Sequence, residues 1–128
     1  MILVDTSVWI DYFNGRISMQ TDKLDKLLAT GEVILGDIIL TEILQGFRND
    51  SDYNAAKTAL EFLICYPISN KQIAIKSADN FRYLRKKGIT IRKTTDMLIG
   101  TFCIENNIPL LHNDKDFLPL EKLGLQMI

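Results

Sequence analysis

The sequence predicts a three-layer α/β/α domain built on a central parallel sheet. Three observations lead there: short apolar runs alternate with helical spacing, the connections are short, and Gly or Asn closes helical segments just ahead of the next apolar run. A chain of 128 residues can bury a two- or three-layer core but is short for two, so one domain over residues 1–128 is expected.

Residues 1–4, 33–35, 65–68, 108–111 and 125–128 read as buried strands, because each is short, apolar and bounded by polar or turn residues. Between them, Leu24, Leu27 and Leu28 form an i, i+3, i+4 stripe. Ile73, Ala74, Ser77, Ala78, Phe81 and Leu84 extend the same pattern over a longer helix. Gly31 and Gly124 stand before apolar runs, Gly88 follows a Lys-rich helix end, and Asn106 and Asn107 precede Ile108, all as helix C-caps.

Composition narrows the class. The chain is 47% hydrophobic and 24% charged, a folded protein rather than a disordered one. The first apolar run stops at Asp5, short of a secretion signal, and nothing approaches a membrane span, so a cytoplasmic location and no membrane partner are expected. Cys65 and Cys103 lack C-x-x-C spacing and have apolar neighbours, which suggests reduced, buried thiols.

Charge is distributed unevenly. Residues 71–93 carry eight cations (Lys71, Lys76, Arg82, Arg85, Lys86, Lys87, Arg92, Lys93) against Asp79 alone, leaving seven cations and fifteen anions elsewhere. This fits a chain that holds a polyanion on one surface and cations on another, and equally a solvated helix face.

In a parallel α/β sheet the C-terminal ends of strands and the N-terminal ends of helices share one edge, where ligands bind. Asp5 ends the first strand and Asp114 follows the fourth. Glu42 falls in the early turns of a helix beginning near Asp37 or Thr41, and Asp96 in the first turn of one opened by Thr94 or Thr95. Each acid alone has a local explanation as a turn, a cap or a solvated side chain. Together on one edge they concentrate negative charge, which costs stability unless protons or cations neutralise it. Carboxylates without paired His or Cys suit Mg²⁺ or Mn²⁺ rather than Zn²⁺, and Mg²⁺ keeps positions for water and substrate phosphate, so the pattern points to phosphodiester chemistry.

Four segments in order carry a family resemblance: residues 2–11 (ILVDTSVWID), 41–46 (TEILQG), 95–100 (TDMLIG) and 110–117 (LLHNDKDF). Over essentially its whole length the chain resembles VapC-type toxins of toxin–antitoxin systems, within the PIN-domain nucleases. The resemblance implies a metal-dependent endoribonuclease acting on structured RNA such as tRNA or a ribosomal RNA loop. Asp5, Asp96 and Asp114 would bind Mg²⁺ or Mn²⁺, with Glu42 reaching it through water. Ser7 would hydrogen-bond within the site, and Thr6 and Asp116 would support it. Arg82, Arg85, Lys86, Lys87, Arg92 and Lys93 are the candidate RNA contacts. His112 stands where Thr or Ser is more usual, as a polar strand-end residue rather than a base or ligand.

The same resemblance implies a homodimer and a cognate VapB-type antitoxin that wraps the toxin and offers a basic side chain to the acids. Trp9, Phe13, Phe47 and Tyr53 are candidates for exposed anchors there or for simple core. Two other readings compete: a housekeeping RNA-processing nuclease of the same fold without an antitoxin, and a non-catalytic PIN scaffold. Gene neighbourhood separates the first from a toxin, and metal binding separates the second.

Overall fold

The computed structural model describes residues 1–128. The chain runs β1 (Ile2–Val4), α1 (Thr6–Phe13), α2 (Met19–Thr30), β2 (Val33–Gly36), α3 (Asp37–Gln45), α4 (Asp50–Leu60), β3 (Cys65–Tyr66), α5 (Lys71–Lys86), α6 (Thr94–Asn106) and β4 (Leu110–Leu111), then a 3-10 segment, Lys115–Leu123. The four strands form one parallel sheet in the order β3-β2-β1-β4. It is flanked by helices: α1 packs on α2 and α3, while α5 packs on α6 and α6 on the 3-10 segment.

Local chemistry sets the element ends. Ser18 caps α2 in a capping box with Thr21, and Asn49 and Asn70 accept from the N–H groups of Asp52 and Ile73 to open α4 and α5. Gly31 and Asn107 end α2 and α6 in left-handed backbone (φ 74° and 53°), as their positions in the sequence suggested. Leu3, Val4, Leu35, Leu110 and Leu111 are fully or almost fully buried, because helices cover both faces of the central strands.

Three expectations need correction. Residues 125–128 do not form a strand: the Leu125 N–H caps the 3-10 segment through the Leu120 carbonyl, and only one bridge, Leu110 to Met127, joins this stretch to β4. The third and fourth strands are shorter than predicted. The Ile108 N–H closes α6 onto the Cys103 carbonyl, and the Ile68 N–H is taken by the Asp37 side chain. Finally, β3 is an edge strand, so Cys65 is exposed there, whereas Cys103 on α6 is buried; both are free thiols. No helix is long and apolar enough to cross a membrane.

The turn from β2 straight into α3 depends on Gly36. A Cβ at this position would lie 2.2 Å from Ile68 Cδ1 and 2.7 Å from Cγ1, and Ile68 is fully buried. Gly36→Ala is therefore expected to destabilise the fold by about 1–3 kcal/mol through overpacking. Urea unfolding measures this, and an unchanged midpoint would refute the close packing.

Candidate active site

Strand order places the site. From β1 the chain steps outward through β2 to β3, then α5 and α6 carry it back across the sheet to β4 on the other side of β1. The direction of winding thus reverses between β1 and β4, and a crevice opens beyond their C-terminal ends. The Asp5 N–H donates to the Leu111 carbonyl at 2.9 Å, fixing the exit of β1 beside that of β4.

Each acid is held by its own element. Asp5 is the N-cap of α1: its Oδ2 accepts from the Ser7 N–H at 3.2 Å and from the Ser7 hydroxyl at 2.6 Å. Glu42, on the second turn of α3, accepts from the Thr6 hydroxyl at 2.7 Å. Asp114 caps the 3-10 segment, accepting from the Asp116 N–H at 2.9 Å, while its own N–H donates to His112 Nδ1 at 3.1 Å. Asp96 sits in the first turn of α6, only 6% exposed, and its Oδ2 has no hydrogen-bond partner. Carboxylate oxygens of Asp96, Asp114 and Asp116 lie within 4.8 Å of one another.

The electrostatics follow from burial and crowding. Burial pushes the Asp96 carboxyl up to about 7; the charges of Asp5 and Asp114 add to this, Lys93 opposes it, and Glu42 contributes further. Burial also raises Asp5, against the hydrogen bonds from Ser7 and the Thr6 backbone, with the Glu42 charge adding to the rise. The neighbouring Cys103 thiol is pushed up to about 12, first by burial and then by the Asp5 charge, so it stays protonated and inert. Burial lowers His112 despite Asp114 and Glu121, leaving a neutral ring that packs on Phe117 and meets the Met127 sulfur.

A buried carboxylate oxygen without a partner, facing two other acids, is a poor resting state for a protein and a good one for a divalent cation. With only oxygen donors, the set fits a hard ion. Asp116, expected as a support, stands with its carboxylate among the three clustered ones, whereas the Asp5 carboxylate is engaged by the Ser7 N–H and hydroxyl.

The structure brings the remaining candidates together only in part. Arg82, Arg85, Lys86, Lys87, Arg92 and Lys93 are all exposed. Arg85 and Lys87 lie over the rings of Phe81 and Tyr83, respectively. Arg82 and Arg92 border a groove of about 640 Å³ between α5 and α6, and Arg92 reaches Asp116 at 3.3 Å. This ion pair, and the bond from the Asn113 amide to Asp11 at 2.9 Å, carried no signal in the sequence, because each joins segments remote along the chain. Trp9 is buried and stacks on Phe13, which meets Phe47 edge-on, while Tyr53 is half-buried. Trp9, Phe13 and Phe47 are thus core and its margin rather than exposed anchors.

An open α/β sheet with a carboxylate cup at its switch point is the architecture of a PIN domain, and the PIN domain family model matches residues 2–123. The chain belongs to the PIN-domain family, among its VapC-type members. It is 32% identical over 123 residues to Ribonuclease VapC11 of Mycobacterium tuberculosis, covering 91% of this chain and 89% of that one. It is 31% identical over 130 residues to Ribonuclease VapC1 of Methanocaldococcus jannaschii, covering 98% and 85%. Among solved structures, VapBC2 from Rickettsia felis bound to a promoter DNA fragment superposes with a TM-score of 0.79 at 20% identity, covering 100% of this chain and 98% of that one. FitAcB from Neisseria gonorrhoeae gives 0.78 at 17%, covering 100% and 96%.

Asp96 also dictates a pH dependence. In the folded, metal-free chain its carboxyl titrates at about 7, above the ordinary 3.8, so the folded state binds the proton more tightly. Its stabilising contribution is complete below 3.8 and is lost as pH rises through about 7. In EDTA, raising the pH from 5 to 8 should lower the wild-type Tm by roughly 3 °C or more relative to Asp96→Asn. Parallel pH profiles for the two proteins would contradict this assignment.

Proposed function

We propose that this chain is a Mg²⁺-dependent endoribonuclease, with Mn²⁺ able to substitute, that serves as the toxin of a type II toxin–antitoxin pair. The observation that carries the reading is the buried, unpartnered Asp96 carboxylate facing Asp114 and Asp116. The names of the relatives, both ribonucleases, supply the reaction class. The titles of structural neighbours, VapBC2 and a toxin–antitoxin complex from Klebsiella pneumoniae, motivate a cognate VapB-type antitoxin. We further infer a homodimer acting in the cytoplasm on structured RNA, a tRNA or a ribosomal RNA loop.

Asp5, Asp96 and Asp114 would hold the ion, with Asp116 adjoining them and Glu42 reaching it through a water. Bound there, the ion would lower the pKa of an attacking water and offset the charge that builds on the leaving oxygen. Asp96, with its carboxyl near 7, would hold the ion in its deprotonated form. Thr6 donates to Glu42 and Ser7 to Asp5, so both carboxylates are oriented before substrate arrives. The exposed cations Arg82, Arg85, Lys86, Lys87, Arg92 and Lys93 would serve as phosphate contacts. Hydrolysis joins the water oxygen to phosphorus as one P–O ester bond breaks, and the leaving oxygen departs with a proton.

The test is cleavage of a total tRNA pool by purified chain freed of partner protein. Discrete fragments should appear with Mg²⁺, disappear with EDTA, and fall at least about a hundredfold in Asp96→Asn and in Asp5→Asn, as loss of several kcal/mol of charge stabilisation requires. Undiminished cleavage by Asp96→Asn would reject the site.

A further inference from the structure

We propose that Arg92 is a substrate-responsive latch on the acid cup: it holds the Asp116 carboxylate in the free protein and yields it to the metal when a phosphate of the RNA takes the guanidinium. The inference rests on reading the cup as a metal centre and adds a positioning residue that regulates its completeness.

Arg92 Nη2 lies 3.3 Å from Asp116 Oδ2, and Asp116 is one of the three acids with carboxylate oxygens within 4.8 Å of one another. The cup's demand for a cation does not depend on counting acids, because the Asp96 Oδ2 is buried without any partner. The Asp116 backbone is anchored by its N–H to Asp114 Oδ1. Its side chain can therefore pass from Arg92 to an ion by rotation about its own bonds, with the loop unmoved. A cation already paired with a ligand carboxylate competes with a metal for it, so the free protein presents a weakened ligand set.

The release arises from where Arg92 stands. Its side chain is 77% exposed, and it borders the groove of about 640 Å³ between α5 and α6 together with Phe81, Arg82, Thr90, Thr94 and Leu98. One guanidinium thus faces the acid cup on one side and, on the other, a largely apolar groove whose only cations are Arg82 and Arg92 itself and whose one ring is Phe81. A guanidinium fork matches phosphate as well as carboxylate, so a strand lying in the groove offers Arg92 an alternative partner. The exchange is easy because an exposed ion pair contributes little to stability. Coupling is reciprocal: phosphate binding at Arg92 tightens the metal, and the metal, by claiming Asp116, frees Arg92 for phosphate.

The experiment is a Mn²⁺ titration of the full chain, with free Mn²⁺ read by electron paramagnetic resonance. It compares wild type, Arg92→Gln, Asp116→Asn, the double variant and Asp96→Asn. Arg92→Gln should bind Mn²⁺ about two- to fivefold more tightly than wild type, the range a solvent-screened pair can supply. In the Asp116→Asn background the Arg92 substitution should change nothing. The single-stranded hexanucleotide dU6, with its own Mn²⁺ binding subtracted, should tighten Mn²⁺ on wild type more than on Arg92→Gln. Unchanged or weaker binding by Arg92→Gln overturns the latch. So does an equal gain in the Asp116→Asn background, since long-range charge would then be the cause. If wild type binds no Mn²⁺, or Asp96→Asn binds it equally well, the metal reading fails and the latch falls with it. If Asp96→Asn loses Mn²⁺ while Arg92→Gln matches wild type, the metal reading stands and the latch alone is rejected.

Discussion

The structure turns on the pairing of β1 with β4. These two strands lie side by side although more than a hundred residues separate them, and the last bond of the pairing, from the Asp5 N–H to the Leu111 carbonyl, lies in the floor of the acid cup. Everything that gathers at the site is referred to this junction. Asp5 leaves β1 and opens α1; Asp114 leaves β4 and opens the 3-10 segment; α6 brings Asp96 up beside them. The close approach of α6 to the 3-10 segment is set by Gly100, where a Cβ would come within 2.5 Å of Leu120 Cδ1. A small residue inside a buried helix face thus keeps Asp96 near Asp114 and Asp116.

The acids have two duties. Asp5 and Asp114 are helix caps as well as members of the cup, so the hydrogen bonds that orient them also stabilise the start of an element. Local bonding and the shared site therefore make the same demand on these side chains. Asp96 is the exception. It has no bond at Oδ2, and burial together with the Asp5 and Asp114 charges leaves it near neutral pH. The strain of the site is concentrated on this one carboxyl, which is where a cation would relieve most.

The basic segment completes the charge pattern without sharing the cup. Its basic residues on α5 and at the C-cap that follows are exposed, and several lie over aromatic rings or beside an acid: Arg85 over Phe81, Lys87 over Tyr83, Lys76 with Glu105 at 3.3 Å. Arg92 forms an ion pair with one of the clustered acids, Asp116, and the Lys93 charge acts on another, Asp96. The surface that would receive a polyanion and the crevice that would receive a cation thus meet at Arg92 and Lys93.

The sequence by itself determined the alternation of strands and helices, the left-handed caps at Gly31 and Asn107, and which acids fall on one edge, because periodicity, capping and the geometry of parallel sheets are local or general rules. It could not determine the lengths of β3 and β4 or the loss of a fifth strand. Those were decided by competition for single N–H groups, with Asp37 taking that of Ile68, Cys103 that of Ile108 and Leu120 that of Leu125. Nor could it see that Cys65 lies on an open edge while Cys103 is buried, since both have apolar neighbours in the chain. The partners of the acids were likewise decided in three dimensions. Thr6 finds Glu42 across 36 residues and Arg92 finds Asp116 across 24, because contacts between remote segments exist only once the sheet has brought the helix ends together.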